Sequence, residues 1–307
     1  MKYFFYILFS LFLFSCTEKN NEQNKIKHKT IVTSSSFKLP NYDELHLLNL
    51  PLPDPQPGDW LSVHDENGQS FEQYFKNKKI VKPTKNKNKI YIQPIGIFTD
   101  WEKKIIDWNI TYIRLFFGLE TIQLEAISEL EIPSDKQRIH HGNHQFDASY
   151  IIHSLLPSKM PKDAIVFMAL TAKDLYPNPK WNFVFGLASY DKRTAVSSIF
   201  RYTENGLNKE TYPICLRRII KTSSHEISHM FSLAHCIEAK CLMNGVNNLA
   251  EGDSRPNALC SVCLRKLSWN LKYKDIDRLN QLIKFMNEHK LFEDVAFLSK
   301  QKAVLEK

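Results

Sequence analysis

Several things are missing from this sequence, and each absence narrows the reading. No internal repeat is present, and no second shift of composition follows the Lys/Asn-rich run that ends at Lys89, so a string of separate modules is excluded. No apolar stretch has the ~20 residues that a permanent transmembrane helix needs; the N-terminal one, Tyr3 to Ser15, is too short. Aromatic residues are absent from the run Lys76, Lys78, Lys79, Lys82, Lys85, Lys87 and Lys89. That run therefore offers no surface for base stacking and reads as a solvated loop, which argues against a nucleic-acid partner despite a net charge of +8. Large apolar residues are scarce from Thr17 to Lys38, so this segment cannot bury enough surface to fold.

What is present suffices for a core. With 43% hydrophobic and 24% charged residues over 307 positions, wholesale disorder is excluded. The first residues, a lysine followed by an apolar stretch, read as an export signal. Leu13-Phe14-Ser15-Cys16 resembles the lipobox of bacterial lipoproteins, which makes Cys16 the expected lipid attachment site and the bacterial cell envelope the expected location. The chain divides into a signal peptide at 1–16, a flexible tether at 17–45 and a domain at 46–307.

The prolines of Leu50 to Gly58 predict an extended surface segment. Lys89 to Phe98 alternates like a strand, and Trp101, Ile105, Trp108, Tyr112 and Phe116 place a helix over Asp100 to Phe117. A second strand is expected over Thr121 to Ile132, a short helix over Asp147 to Leu156 and a doubly buried strand over Ala164 to Leu170. This alternation implies an α/β fold with a mostly parallel sheet. Trp181 to Tyr190 and Arg193 to Tyr202, with only Asp191 and Lys192 between them, suit a hairpin that adds an antiparallel edge strand. A helix from Tyr212 through Leu233 opens on Pro213, and Lys274 to His289 reads as the last amphipathic helix.

Inside the Tyr212 helix, His225-Glu226-Ile227-Ser228-His229 puts two imidazoles four residues apart on one face. His235 follows six residues later and can join them only if the chain turns back. Three neutral imidazoles would hold a zinc ion with a fourth position for water, and Glu226 is placed to act as general base in peptide hydrolysis. Cys236, Cys241, Cys260 and Cys263 follow at the spacing of a closed four-thiolate zinc site, a structural second ion. Two disulfides are the alternative in an exported protein. The close Cys260–Cys263 pair favours metal. Cys215 has no partner at ligand spacing and reads as a small apolar core residue.

The segment His225 to Cys263 resembles the archaemetzincins. So do Leu52-Pro53, Gln56 to Trp60, Gly68 to Phe71, Asp174 to Tyr176, Trp181 to Gly186 and Ser198 to Tyr202. The resemblance implies a metzincin-like twisted mixed sheet with one antiparallel edge strand, an active-site helix, a methionine turn at Met243 and a zinc-stapled segment at 236–263. It also implies a metallopeptidase acting on peptides, which would lie along the strand Arg193 to Tyr202 as an edge. In the long metzincin motif a glycine at position 232 leaves the helix with positive φ; this chain has Ser232. Either the neighbouring cysteine cluster holds that turn, or His235 is displaced and the cleft binds extended peptides without cleaving them.

Overall fold

The computed structural model describes residues 42–307 apart from Glu204 and Asn205. Cys16, the expected signal at 1–16 and most of the expected tether lie outside the described residues. The last four residues assigned to the tether form a helical turn, α1 (Tyr42–Leu45), in which Leu45 is buried in the core. The 17–45 segment thus overlaps the folded domain by these four residues. Residues 51–56 have no regular structure, as their prolines dictate. Two short helices follow, α2 (Trp60–Val63) and α3 (Phe71–Lys76). A reciprocal capping box between Ser70 and Gln73 starts α3.

The first βα unit is β1 (Lys89–Ile95) and α4 (Asp100–Phe117). A Thr99–Glu102 capping box opens α4, and Gly118 at φ +62° closes it in the left-handed conformation that glycine adopts without strain. Strand β2 is only Thr121–Gln123 rather than the expected Thr121 to Ile132. Ser128 accepts a hydrogen bond from the Leu130 N–H and starts a 3₁₀ turn, which takes the backbone out of the sheet. A hairpin then forms from β3 (Gln137–His140) and β4 (Asn143–Asp147), which the alternation of strands and helices gave no sign of. Asp147 caps the expected short helix, seen as α5 (Ala148–Tyr150), a π-helical turn over Ile151–Leu155 and α6 (Leu156–Lys159).

All eight residues of β5 (Ala164–Thr171) are buried. Next come β6 (Asp174–Tyr176), β7 (Gly186–Ser189) and β8 (Thr194–Ser198). The main sheet runs β2-β1-β5-β8-β7, parallel except for β7; β3, β4 and β6 form a smaller sheet. The edge expected at Arg193 to Tyr202 lies elsewhere. The strand after the hairpin turn, β8, is not an edge: it lies between β5 and β7, and the antiparallel edge strand is β7, from the Trp181 to Tyr190 half. The reason is burial. All five β8 residues are buried and register with Phe167–Thr171, whereas Gly186, Leu187 and Ala188 remain partly open.

Side chains alternate across the sheet, as its two-residue period requires. Ile90, Ile92, Met168, Leu170 and Ala195 join the core that also holds the inner residues of α4 and of α7 (Tyr212–Met230). Tyr91, Phe167, Ala169 and Val196 face the core containing Ile151, Ile152 and Leu155 of the π-helical turn. Helices α8 (Leu249–Asp253), α9 (Ser261–Leu271), α10 (Asp275–Glu288) and α11 (Phe292–Leu305) complete the domain. The helix expected at 274–289 is therefore not the last. The apolar period of α11 is masked because Asp294 and Gln301 occupy its buried face, where they bond Arg217, Asn257 and the Leu259 carbonyl.

Candidate functional site

Helix α7 carries His225 and His229 one turn apart, so both rings leave one face. It ends at Met230, and the chain reverses through Ser232, which adopts φ +70°. The Ser232 N–H bonds the His229 carbonyl at 2.8 Å and the Leu233 N–H bonds the Ser228 carbonyl at 3.1 Å. This reversal brings His235 to the other two: one nitrogen from each of the three rings lies within 4.8 Å of the others.

The hydrogen bonds of the rings decide what they can hold. His225 Nδ1 faces the Leu242 carbonyl at 2.9 Å, His229 Nδ1 the Leu233 carbonyl at 2.7 Å, and His235 Nδ1 the Glu66 carboxylate at 2.6 Å. Each of these partners can only accept, so each Nδ1 carries a ring hydrogen, and in the neutral ring that leaves Nε2 as the lone pair. His225 Nε2 and His229 Nε2 are 2.9 Å apart with no hydrogen to share. Lone pairs gathered so closely fit a cation. Burial, followed by the neighbouring His235, pushes His225 down to about 3, and burial likewise drives His229 well below its ordinary value, so both imidazoles are neutral as ligands must be. The phenol of Tyr190 reaches His229 Nδ1 at 2.7 Å and the Leu233 carbonyl at 3.3 Å, tying the β7–β8 turn to this ring's far side.

Glu226, on the same helix, is buried, and desolvation pushes its carboxyl up to about 8. It approaches the backbone of edge strand β7 so closely that a Cβ on Gly186 would lie 2.9 Å from Glu226 Oε1. Glycine there leaves the carboxyl its room. Histidines and carboxyl open onto a cleft of about 700 Å³ that also borders Trp60, Trp181, Phe185, Leu187 and Tyr190.

The four cysteines form a second, closed cluster, buried and free of disulfides. Their sulfurs all lie within 4.8 Å of one another, and Cys236 Sγ is 3.7 Å from Cys260 Sγ. A disulfide would require about 2.05 Å. Tetrahedral zinc–thiolate bonds of about 2.3 Å place sulfurs ~3.8 Å apart. The donor set therefore fits a metal. Cys241 Sγ also accepts from the Met243 and Cys260 backbone N–H groups, which favours a thiolate. Hydrogen bonds from Cys241, Cys260 and Cys263 drive Cys236 down, whereas burial first and then the neighbouring sulfurs hold Cys241 up. Cys215 is apart from this group, and burial pushes its thiol up to about 12.

Met243 is fully buried beside Leu242, whose carbonyl receives His225, and its own carbonyl accepts from the Cys236 N–H at 2.8 Å. Asn244 closes the loop through the Cys241 N–H and the carbonyls of Cys236 and Ala239. Nothing in the local sequence marks Glu66 or Tyr190 as part of this site. Trp60 and Gln69 lay within segments singled out as family-like, but nothing in their spacing tied them to the histidines.

Comparison with known proteins bears on this geometry. The model of Peptidase family M54 matches residues 131–269. Archaemetzincin-2 of Pongo abelii is 33% identical over 264 residues, covering 76% of this chain and 73% of that protein. Archaemetzincin-2 of Mus musculus is 33% identical over 269 residues, covering 78% and 75%. Among solved structures, the archaemetzincin of Methanopyrus kandleri is 25% identical and covers 62% of this chain and 99% of its own, with a TM-score of 0.48. Identity at this level over three quarters of both chains places the protein: it belongs to the archaemetzincin family, a family of zinc metallopeptidases.

Proposed function

We propose that the chain is a working zinc peptidase with His225, His229 and His235 as ligands of one ion and Glu226 as general base. The observation that carries this reading is the set of three imidazoles whose Nδ1 atoms face acceptors and whose ring nitrogens converge within 4.8 Å, in a cleft that also holds a buried carboxyl and is bounded by a sheet edge. Zinc held there supplies a Lewis-acidic centre with a position open to ligands other than protein. Glu226 takes the proton of the attacking water and returns it to the leaving amine. The free edge of β7 gives an extended peptide a strand to pair with, and Gly186 keeps that edge close to Glu226.

Cys236, Cys241, Cys260 and Cys263 hold a second, structural zinc with no open position, and Met243 packs as the methionine turn. The N-terminal pattern supports lipid attachment at Cys16 and placement at a bacterial cell envelope; a Cys16→Ser protein that stays in the membrane fraction would refute it. The test of the catalytic reading is a diverse peptide library offered to zinc-loaded protein. Turnover that vanishes in Glu226→Ala supports it, and a fully loaded protein that cleaves nothing refutes it.

A further inference from the structure

The three proposed ligands are not oriented by the same means. His225 and His229 rely on backbone carbonyls, those of Leu242 and Leu233, which no substitution deletes. His235 relies on a side chain, Glu66, which lies 169 positions away in sequence and outside the segment matched by the family model.

Glu66 belongs to a stretch that runs along the reversal after α7 and bonds it repeatedly. The Tyr74 hydroxyl donates to the Phe231 carbonyl at 2.7 Å, and the Val81 N–H donates to Ser232 Oγ at 3.2 Å. Gln69 makes two bonds, donating to the Ser232 carbonyl at 3.2 Å and accepting from the Ala234 N–H at 3.3 Å. The stretch is itself fixed to α9. Lys266 Nζ donates to the Gln69 carbonyl, while Asn270 Nδ2 donates to Tyr74 Oη at 2.6 Å and to the Val81 carbonyl at 2.9 Å. Helix α9 begins between Cys260 and Cys263, so the support is continuous from the thiol cluster to the third histidine.

At the end of this chain of contacts sits the carboxylate. Glu66 Oε1 accepts from His235 Nδ1 and, at 3.0 Å, from Trp60 Nε1, while the Trp60 ring stands edge-on to the imidazole at 5.1 Å. Gly245 lets that indole in, since a Cβ there would be 2.4 Å from Trp60 Cδ1. The ring is thereby fixed in tautomer by one partner and in plane by another.

We propose that residues 60–81 are a brace for the third ligand and that Glu66 is its positioning residue: by taking the Nδ1 hydrogen of His235 it keeps Nε2 bare and aimed at the metal. The brace holds the turn at Ser232, where glycine is absent. This proposal rests on the reading of His235 as a zinc ligand.

The test measures zinc per chain and zinc retention against a graded series of chelators. The proteins are wild type, His235→Ala, Glu66→Ala, Glu66→Leu and Glu66→Gln, all purified under reducing conditions. Cobalt replacement identifies the site being emptied, because only the cysteine cluster gives sulfur-to-metal charge-transfer absorption. His235→Ala should lose one zinc. Glu66→Ala and Glu66→Leu should release the same ion about 10- to 100-fold more readily, while Glu66→Gln, which still offers an acceptor, should fall between them and wild type. If Glu66→Ala does not fold, Glu66→Leu decides, being close in size. Retention equal to wild type in the acceptor-free variants, with or without a lower Tm, overturns the inference while leaving the ligand reading in place. A His235→Ala protein that loses no zinc overturns the reading beneath it.

Discussion

His235 and Cys236 are adjacent in sequence, yet they belong to clusters of opposite design. The histidine cluster borders a cleft, offers three donors, and each donor is oriented through its second nitrogen by a different part of the chain. The cysteine cluster is buried, offers four donors, and is organised within 28 residues by its own loop through Asn244 and by backbone N–H groups. Four donors close a tetrahedron and three leave a vertex open, so on the proposed assignment one peptide link separates a structural staple from a reaction centre. The loop that carries the cysteines also serves the histidines, because it supplies the Leu242 carbonyl that faces His225.

The largest effects should come from breaking the staple. Cys263→Ser should cost one zinc and, since structural zinc sites contribute on the order of 10 kcal/mol, abolish cooperative unfolding at ordinary temperatures. His229→Ala should also cost one zinc but leave a cooperative thermal transition. Calorimetry beside elemental analysis checks the contrast. It fails if the two variants lose the same stability.

Within the open cluster, chemistry should separate from binding. Glu226→Gln removes the proposed base and no proposed ligand, so peptide turnover should fall by about 10²- to 10⁴-fold with zinc content unchanged. A variant that keeps a tenth of the activity would show that another group moves the proton.

The contrast between the clusters also explains what could be read from the sequence. Spacing within one helix or one loop is local, so His225, His229 and the four cysteines were legible as donor sets. The βα unit of β1 and α4 was legible for the same reason, through the apolar spacing of Trp101, Ile105, Trp108, Tyr112 and Phe116; the caps at Thr99, Glu102 and Gly118 came from the structure. Partners that are distant in sequence were not legible. Glu66 gives no local sign of its bond to His235, and the burial pattern of the 181–202 hairpin does not say which strand pairs with β5. That choice depends on the tertiary register of Phe167–Thr171, which made β7 the edge. The position of Ser232 was legible, but not what holds it: the expectation rested on the cysteine cluster, whereas Gln69 and Val81 make the direct bonds.

A smaller effect probes the sheet edge against the base. In Gly186→Ala the new methyl would stand 2.9 Å from Glu226 Oε1, Ser197 Oγ and Thr222 Cγ2 at once. Such overpacking costs about 1–3 kcal/mol, and the shift of Glu226 should lower turnover more than zinc affinity. Equal losses of both would place the strain on the histidines instead.

The smallest effect is the most discriminating for the turn. Ser232 sits at φ +70°, where a non-glycine residue costs about 1–2 kcal/mol, so Ser232→Gly relieves strain. The same change removes the hydroxyl that accepts from the Val81 N–H, a bond with a net contribution of ~1 kcal/mol, and gives the unfolded chain more freedom. These terms oppose one another, and stability should move by less than about 1 kcal/mol in denaturant unfolding. A clear gain would mean that the brace contributes little through Ser232 and that the serine is tolerated strain. A clear loss would mean that the hydroxyl bond outweighs the strain, and that in this chain the bond to Val81 holds the turn in place of the glycine's conformational freedom.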